Sequence, residues 1–404
     1  MRKFIYRTTC IMLMGIGIEA HAHNTVREVF HTGTLSGQIR TGFIYVDPEH
    51  TSLSTNYTTA VGGWLKYETA AYNGLSLGAA YYTSHALTGL SGDRDKGRFN
   101  EEMADTHHYD ILAESYLNYH HGKFNLRIGR QRIDTPYADS DDIRMTPNSF
   151  EGVTARYTGE KITLLGAFLT RWQGVDATYN FEDLVEGGEG VAMLAATYHN
   201  EKLEGGLWYY YADNTAAVFY GDIADSCTFD NGISLKGALQ AARQHEIDHS
   251  GIEATLWGTM ATLTYKSFTF GLAYNKVWVD ESKSYFGGFG GGVGFINMFD
   301  MTAGVLSIYH NAEGWKGSLT YDLSSLGIAG LTGEYDYGHF QSDAHHKANE
   351  HNFVVHYTPS NQWDLEIVYD LIDDTHKNLL EDETTHAAID YSMQRVLIRA
   401  NYNF

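Results

Sequence analysis

Cysteine is nearly absent from this chain, which holds only Cys10 and Cys227 in 404 residues. Cys10 lies inside an N-terminal apolar stretch that reads as a leader, so a single cysteine remains once the leader is removed. An intramolecular disulfide is then excluded, and a cysteine-based metal centre is disfavoured. Positive charge is also scarce. The 28 Lys and Arg stand against 50 Asp and Glu, a formal net charge of −22 that argues against nucleic acid as a partner. Long apolar runs are missing too: after residue 22 no stretch approaches the roughly 18 consecutive apolar residues of a transmembrane helix. Disordered acidic chains share the charge, but not the 29 Tyr, 19 Phe and 7 Trp found here. A large soluble β protein remains, or a barrel that crosses a membrane on alternating strands. The mean hydropathy of −0.32 suits either, because only every second residue of a barrel strand faces lipid.

The leader spans residues 1–22. Arg2, Lys3 and Arg7 form a basic start, Thr8–Ile18 an apolar core too short to span a bilayer, and Ala20-His21-Ala22 a small-x-small cleavage site before His23. Cleavage removes three basic residues and one acid, which takes the net charge from −22 to −24. The mature chain, 23–404, shows no linker or shift in composition that would divide it into domains.

One unit recurs along it: an alternating run, a short turn, a second run, then a longer polar loop. Short turns fall at Asn73-Gly74, His121-Gly122, Thr158-Gly159, Asn200-Glu201, Asn231-Gly232, Lys266-Ser267 and Ser360-Asn361, and Asn-Gly is the strongest short-range hairpin signal. Longer charged loops interleave near 85–106, 132–148, 173–189, 280–300, 341–350 and 373–389. Such sorting of turn lengths belongs to an outer-membrane barrel rather than a soluble sandwich. The predicted strands are 34–45, 60–71, 75–84, 108–119, 123–131, 150–158, 161–172, 190–199, 202–211, 216–229, 233–245, 253–265, 268–279, 315–323, 328–340, 351–358, 362–372 and 391–404. That makes an all-β, transmembrane antiparallel barrel of eighteen strands with both termini periplasmic. Asp300–His310 can also be read as strand, which leaves sixteen or twenty open. The glycine cluster Phe286–Gly294 reads as a flexible external loop or as simple low complexity.

The last strand alternates most clearly. Val396, Ile398, Ala400, Tyr402 and Phe404 share one face; Arg395, Leu397, Arg399, Asn401 and Asn403 share the other. Apolar outside and polar inside matches a lipid-facing strand around a wet lumen. Trp363, Leu365, Ile367 and Tyr369 likewise oppose Asp364, Glu366 and Asp370, and a soluble core would not hide three carboxylates on one face.

The stretch Gly129–Val153, GRQRIDTPYADSDDIRMTPNSFEGV, interrupts this pattern. It leaves a strand at Phe124–Gln131, spends about sixteen residues on turn and acidic chemistry, and re-enters a strand at Phe150. Pro136 and Pro147, two of the four prolines, sit inside it and forbid central-strand pairing. A long, stiffened, charged loop between two strands usually has a function. The run Arg144-Met145-Thr146-Pro147-Asn148-Ser149-Phe150-Glu151-Gly152-Val153, with Pro136 and Asp142 before it, resembles the constriction loop of the OprD family of outer-membrane porins. The resemblance implies an 18-stranded barrel in the outer membrane of a Gram-negative bacterium, with loop 132–148 folded inward to narrow the pore. It also implies a basic ladder facing an acidic loop, which passes small carboxylates. A terminal Phe404 behind Tyr402 resembles the signal read by the barrel-assembly machinery.

Alternation puts Gln38, Arg40, Arg127, Arg156, Arg171, Arg395 and Arg399 on the lumen face. Asp134, Tyr137, Asp139, Asp141, Asp142 and Arg144 join them from the loop. Facing rows of opposite charge orient a zwitterion or a carboxylate in transit; the same arginines can instead pair with the loop aspartates and hold the loop in place. Net acidity favours cations, so the sign of selectivity stays open. The expected function is passive diffusion of small hydrophilic solutes or ions, through a barrel that works without a cofactor, is set in outer-membrane lipid, and is a monomer or a homotrimer. The rival readings are a barrel enzyme of the phospholipase or protease type, and an adhesin. His249-Ser250 is the one adjacent pair of catalytic types, and adjacency is not the geometry a nucleophile and its base require. The paired histidines His107-His108, His120-His121 and His345-His346 would point to opposite faces of a strand and share no metal.

Overall fold

The computed structural model describes residues 25–49, 53–280, 282–290, 292–299, 311–342, 347–374, 380–381, 388–389 and 392–404. The leader with Ala20 and Ala22, the segment Asp300–His310 and the pair His345-His346 lie outside them. Among the described residues, eighteen long antiparallel strands form one sheet that closes on itself, with the two-residue strand Glu182–Asp183 added at one edge of the loops. The long strands are β1 Thr34–Pro48, β2 Asn56–Glu68, β3 Leu75–Ala86, β4 His108–His121, β5 Phe124–Gln131 and β6 Ser149–Thr158. Next come β7 Ile162–Gln173, β8 Val191–His199, β9 Leu203–Ala212, β10 Ala216–Thr228, β11 Ile233–Glu246 and β12 Ala254–Tyr265. The last six are β13 Phe268–Val279, β14 Glu313–Asp322, β15 Leu331–Gln341, β16 Lys347–Tyr357, β17 Trp363–Asp374 and β18 Met393–Asn403. Closure runs from Gln38↔Asn403 to Pro48↔Met393, so no edge is left unpaired.

The outer surface is what lipid demands. Leu194, Leu207, Phe219, Leu239, Leu272 and Phe353 stand exposed on alternate positions. Inside, Arg40, Glu114, Gln240, Asn352, Asp370 and Arg395 are buried with Tyr82, Tyr210 and Leu397. Asn73 and Gly74 turn β2 into β3 with φ of 50° and 85°, the left-handed pair of a type I′ hairpin. A six-residue helix that the strand pattern did not anticipate, α1 Val26–His31, precedes the barrel. Thr25 and Glu28 close a reciprocal capping box at its start, and Val29 is buried.

The glycine cluster is not an external loop. Phe289 donates from its backbone to Tyr137 O at 2.9 Å, and Asp139 N donates to Phe289 O at 3.0 Å. Phe286 exchanges two bonds with the Gln244 side chain, at 2.7 and 2.8 Å. Phe289, Val293, Phe295 and Ile296 are buried. The glycines supply the close approach: Gly288 and Gly290 hold φ of 97° and 84°. A Cβ on Gly290 would come within 2.5 Å of Asp139 O. Phenylalanines spaced among glycines were the available sign, because aromatic rings have no reason to face water.

Candidate pore constriction

Residues Arg132–Asn148 fold into the barrel as a pinned hairpin. Asp134–Thr135 pairs with Ala138–Asp139 around Pro136-Tyr137, and Thr135 Oγ1 donates to Ala138 O at 2.9 Å. Ser140 closes the base by three bonds to the backbone of Ile133, of 2.7, 2.8 and 3.0 Å. The tip residue Tyr137 is fully buried among Tyr210, Tyr220 and Phe286, with ring centroids at 5.5, 6.0 and 6.2 Å. Burial in that aromatic nest pushes its hydroxyl up to about 12, against the opposing hydrogen bonds from Tyr285 and Gln244.

The second half of the loop lies against β1 and β18. Arg40 grips Asp142 with both terminal nitrogens, at 2.5 and 2.9 Å, while its Nε donates to Asn401 at 2.6 Å. Arg399 donates to Asp142 O at 2.7 Å and to Glu366 at 2.7 Å. Arg395 donates to Asp370 at 3.0 Å and to Phe299 O at 2.9 Å. Burial works against the Asp142 carboxylate, but Arg40, Arg399 and Arg132 outweigh it and hold the group well below the usual range. Arg144 is buried and pairs with Glu102 of the 87–107 loop. The backbone of Glu102 in turn accepts from Tyr179 at 3.0 Å, and Tyr179 stacks on Tyr109 at 4.0 Å. Four loops thus meet over one wall, the fourth through Phe299, with Arg40, Arg144, Arg395 and Arg399 engaged in holding them.

The neighbouring wall is more open. Arg127 lies 4.0 Å over the Tyr116 ring, and Arg156 sits half-buried nearby, with Asp134 and Arg127 as the charges acting on it. Lys66 and Arg132 share Glu114 at 2.6 and 3.0 Å, and Arg132 stacks 4.6 Å from Trp64. Lys66, Glu114 and Arg132 were not among the sequence candidates, although Arg132 immediately follows Gln131 of β5 and Lys66 alternates inward on β2. Asp134 is exposed, Asp139 half-buried and Asp141 buried; the carboxylate of Asp139 accepts from Asp141 N at 3.0 Å.

Arg171 departs from the expected lumen face. Thr170 is an extra residue in β7, so Gly152 pairs with Leu169 but Glu151 with Arg171. Phe150 and Trp172 keep the inward face, stacked at 5.9 Å, and Arg171 turns outward with Glu151. It lies 3.8 Å from Asp183 and donates to Phe181 O. Strict alternation cannot foresee a bulge. At the C-terminus, Phe404 exchanges backbone bonds with Gly37 at 2.9 and 3.1 Å and stacks on Tyr402 at 6.3 Å.

Comparison with known proteins agrees with this architecture. The model of the outer membrane porin, OprD family, matches residues 30–386. Among solved structures, Pseudomonas aeruginosa OpdK, crystallised with vanillate, superposes with a TM-score of 0.75 at 17% identity, over 93% of this chain and 99% of that one. Acinetobacter baumannii OccAB4 gives 0.77 at 15% identity over 92% and 98%. Pseudomonas aeruginosa OccK8 (OprE) gives 0.73 at 14% over 93% and 99%. No curated protein matches the chain.

Proposed function

We propose, for a chain that belongs to the OprD family of outer-membrane porins, that its solutes are small carboxylates drawn past Arg127 and Arg156. As a member of that family the protein is an outer-membrane channel for small molecules, and the family is one of channels rather than enzymes. The carboxylate preference rests on one observation: Arg127 and Arg156 are diagonal neighbours on the paired strands β5 and β6, Arg127 opposite Thr154 and Arg156 opposite Asn125, on the open wall. The acids nearby are the exposed Asp134, and Glu68, which accepts from the Tyr116 hydroxyl at 2.7 Å. Arg40, Arg132, Arg144, Arg395 and Arg399 are occupied by carboxylates and carbonyls of the loops and of neighbouring strands. An anion passing Arg127 and Arg156 relieves their mutual repulsion, which a cation would not. The relative captured with vanillate, an aromatic carboxylate, fits the same chemistry.

Residues 1–22 are removed on export, and Tyr402 and Phe404 present the terminal strand to the assembly machinery. Diffusion is passive, and each barrel of a monomer or homotrimer would conduct by itself. The test is reversal potential in planar bilayers under a KCl gradient. The wild type should give an anion-directed potential that Arg127→Ala/Arg156→Ala weakens or reverses. A cation-directed wild type that the double variant leaves unchanged would sink the carboxylate reading.

A further inference from the structure

The lipid-facing side of the barrel carries a groove of about 980 Å³, floored by small residues on β6 to β11. Two hydrogen-bonded rows of outward side chains define it. One runs Tyr157, Leu164, Ala196, Leu207, Gly221, Ala241; the next runs Ala155, Gly166, Leu194, Tyr209, Phe219, Arg243. Alanine and glycine make the trough, and leucine with aromatic rings make its rims. The trough begins beside the short turn after β6. It ends at Arg243, near the loop end of β11, with Thr255 beside it.

The dimensions select an occupant. Five strand spacings of about 4.8 Å make a trough roughly 24 Å long. Barrel strands tilt by about 40°, so a row perpendicular to them climbs about 15 Å along the membrane normal. Half of a hydrocarbon core of about 30 Å is the same depth. The groove therefore climbs about half the depth of the core on a slope, and Arg243, at its loop end, is the charged residue among its outward-facing lining. Arg243 is held there by Thr255 Oγ1 at 2.8 Å and by Glu253, which His245 also approaches at 3.2 Å.

We propose that this groove seats an acyl chain of a phosphate-bearing outer-leaflet lipid, whose phosphate shares the Arg243 guanidinium with Glu253. Leu207 and Phe219, 72% and 55% exposed, would flank the chain. The inference rests on the outer-membrane setting, not on the carboxylate preference.

Native mass spectrometry of the purified barrel in neutral detergent tests it, with dimyristoyl phosphatidic acid and dimyristoylglycerol as probes. Wild type should retain the phosphatidic acid about tenfold more strongly than the diglyceride, the value of a charge-assisted contact. Arg243→Gln should erase that difference, and Ala241→Leu, which fills the floor, should weaken both probes. Heat-modifiable migration verifies that each variant is a folded barrel, and bilayer conductance of the wild type verifies that the channel itself is sound. Equal retention of both probes by wild type, or retention indifferent to both substitutions, would overturn the proposal. A dimer or trimer mass lost in Ala241→Leu would assign the groove to a second copy instead.

Discussion

Removing the Asp142 carboxylate should loosen the constriction without unfolding the barrel. The carboxylate makes a two-pronged pair with Arg40, whose side chain is 3% exposed, whereas Asp142 itself is 24% exposed. Asp142→Ala leaves Arg40 with Asn401 and Arg144 O, and a buried guanidinium lacking its counter-charge. Truncating one member of such a pair costs about 2–5 kcal/mol. Barrel closure draws on all eighteen strands, so this cost falls on the docked loop and raises its undocked population roughly 30-fold or more. Single-channel recording should then show larger or noisier openings, and deletion of Asp134–Asp142 should enlarge them further. Asp134→Ala, at an exposed carboxylate, is the matched control and should leave the noise unchanged. Equal, quiet conductance in Asp142→Ala and wild type would mean that the pair does not hold the constriction.

Acid should reproduce that loosening. The folded Asp142 ionises below its unfolded range near pH 3.9, so its stabilisation is present above that pH and lost as pH falls through the depressed folded value. Conductance noise should therefore stay flat from neutrality to about pH 4 and rise below it; a rise near pH 6 would contradict the anchoring. Gly290→Val should free the hairpin tip, because its φ of 84° and the 2.5 Å approach to Asp139 O leave no room for a side chain. Recordings should then show flicker with a normal yield of folded barrel. Removing Phe404, which pairs with Gly37 beside the closing seam, should lower the yield of heat-modifiable barrel and leave the conductance of the folded fraction intact.

The barrel was legible in the sequence because lipid imposes a strict period of two. Each of the eighteen predicted strands overlaps an observed one, and Arg395, Arg399 and Asn401 are buried while Ile398 between them is exposed. Errors arose where chain geometry leaves that period. Thr170 reversed Arg171, and strand alternation has no term for the α1 turn that the Thr25 and Glu28 caps start. Loop packing was the least readable, since glycine-rich sequence looks alike outside and inside a barrel. Only tertiary contact separates the two, here the backbone bridge between Phe289 and the 137–139 segment.

The net charge of −22 is also a poor guide to the field inside. Charges on the wall of β17, β18 and β1 cancel in close pairs: Arg395 with Asp370, Arg399 with Glu366, Arg40 with Asp142. Pairs a few ångströms apart project little field across a lumen, and salt screens the exposed acids beyond about 8 Å. Glu114 takes both Lys66 and Arg132, which leaves that trio with one positive charge. Arg127 and Arg156 add two more against Asp134 and Glu68, which leaves this wall with a net charge of about +1. On the carboxylate reading proposed above, a solute on this side meets a local positive excess inside an acidic protein, and that excess, rather than the total, would set the sign of selectivity. Neutralising external acids such as Asp183 and Glu189 should therefore shift the reversal potential less than neutralising Arg127 alone, a comparison made in one bilayer series at equal salt.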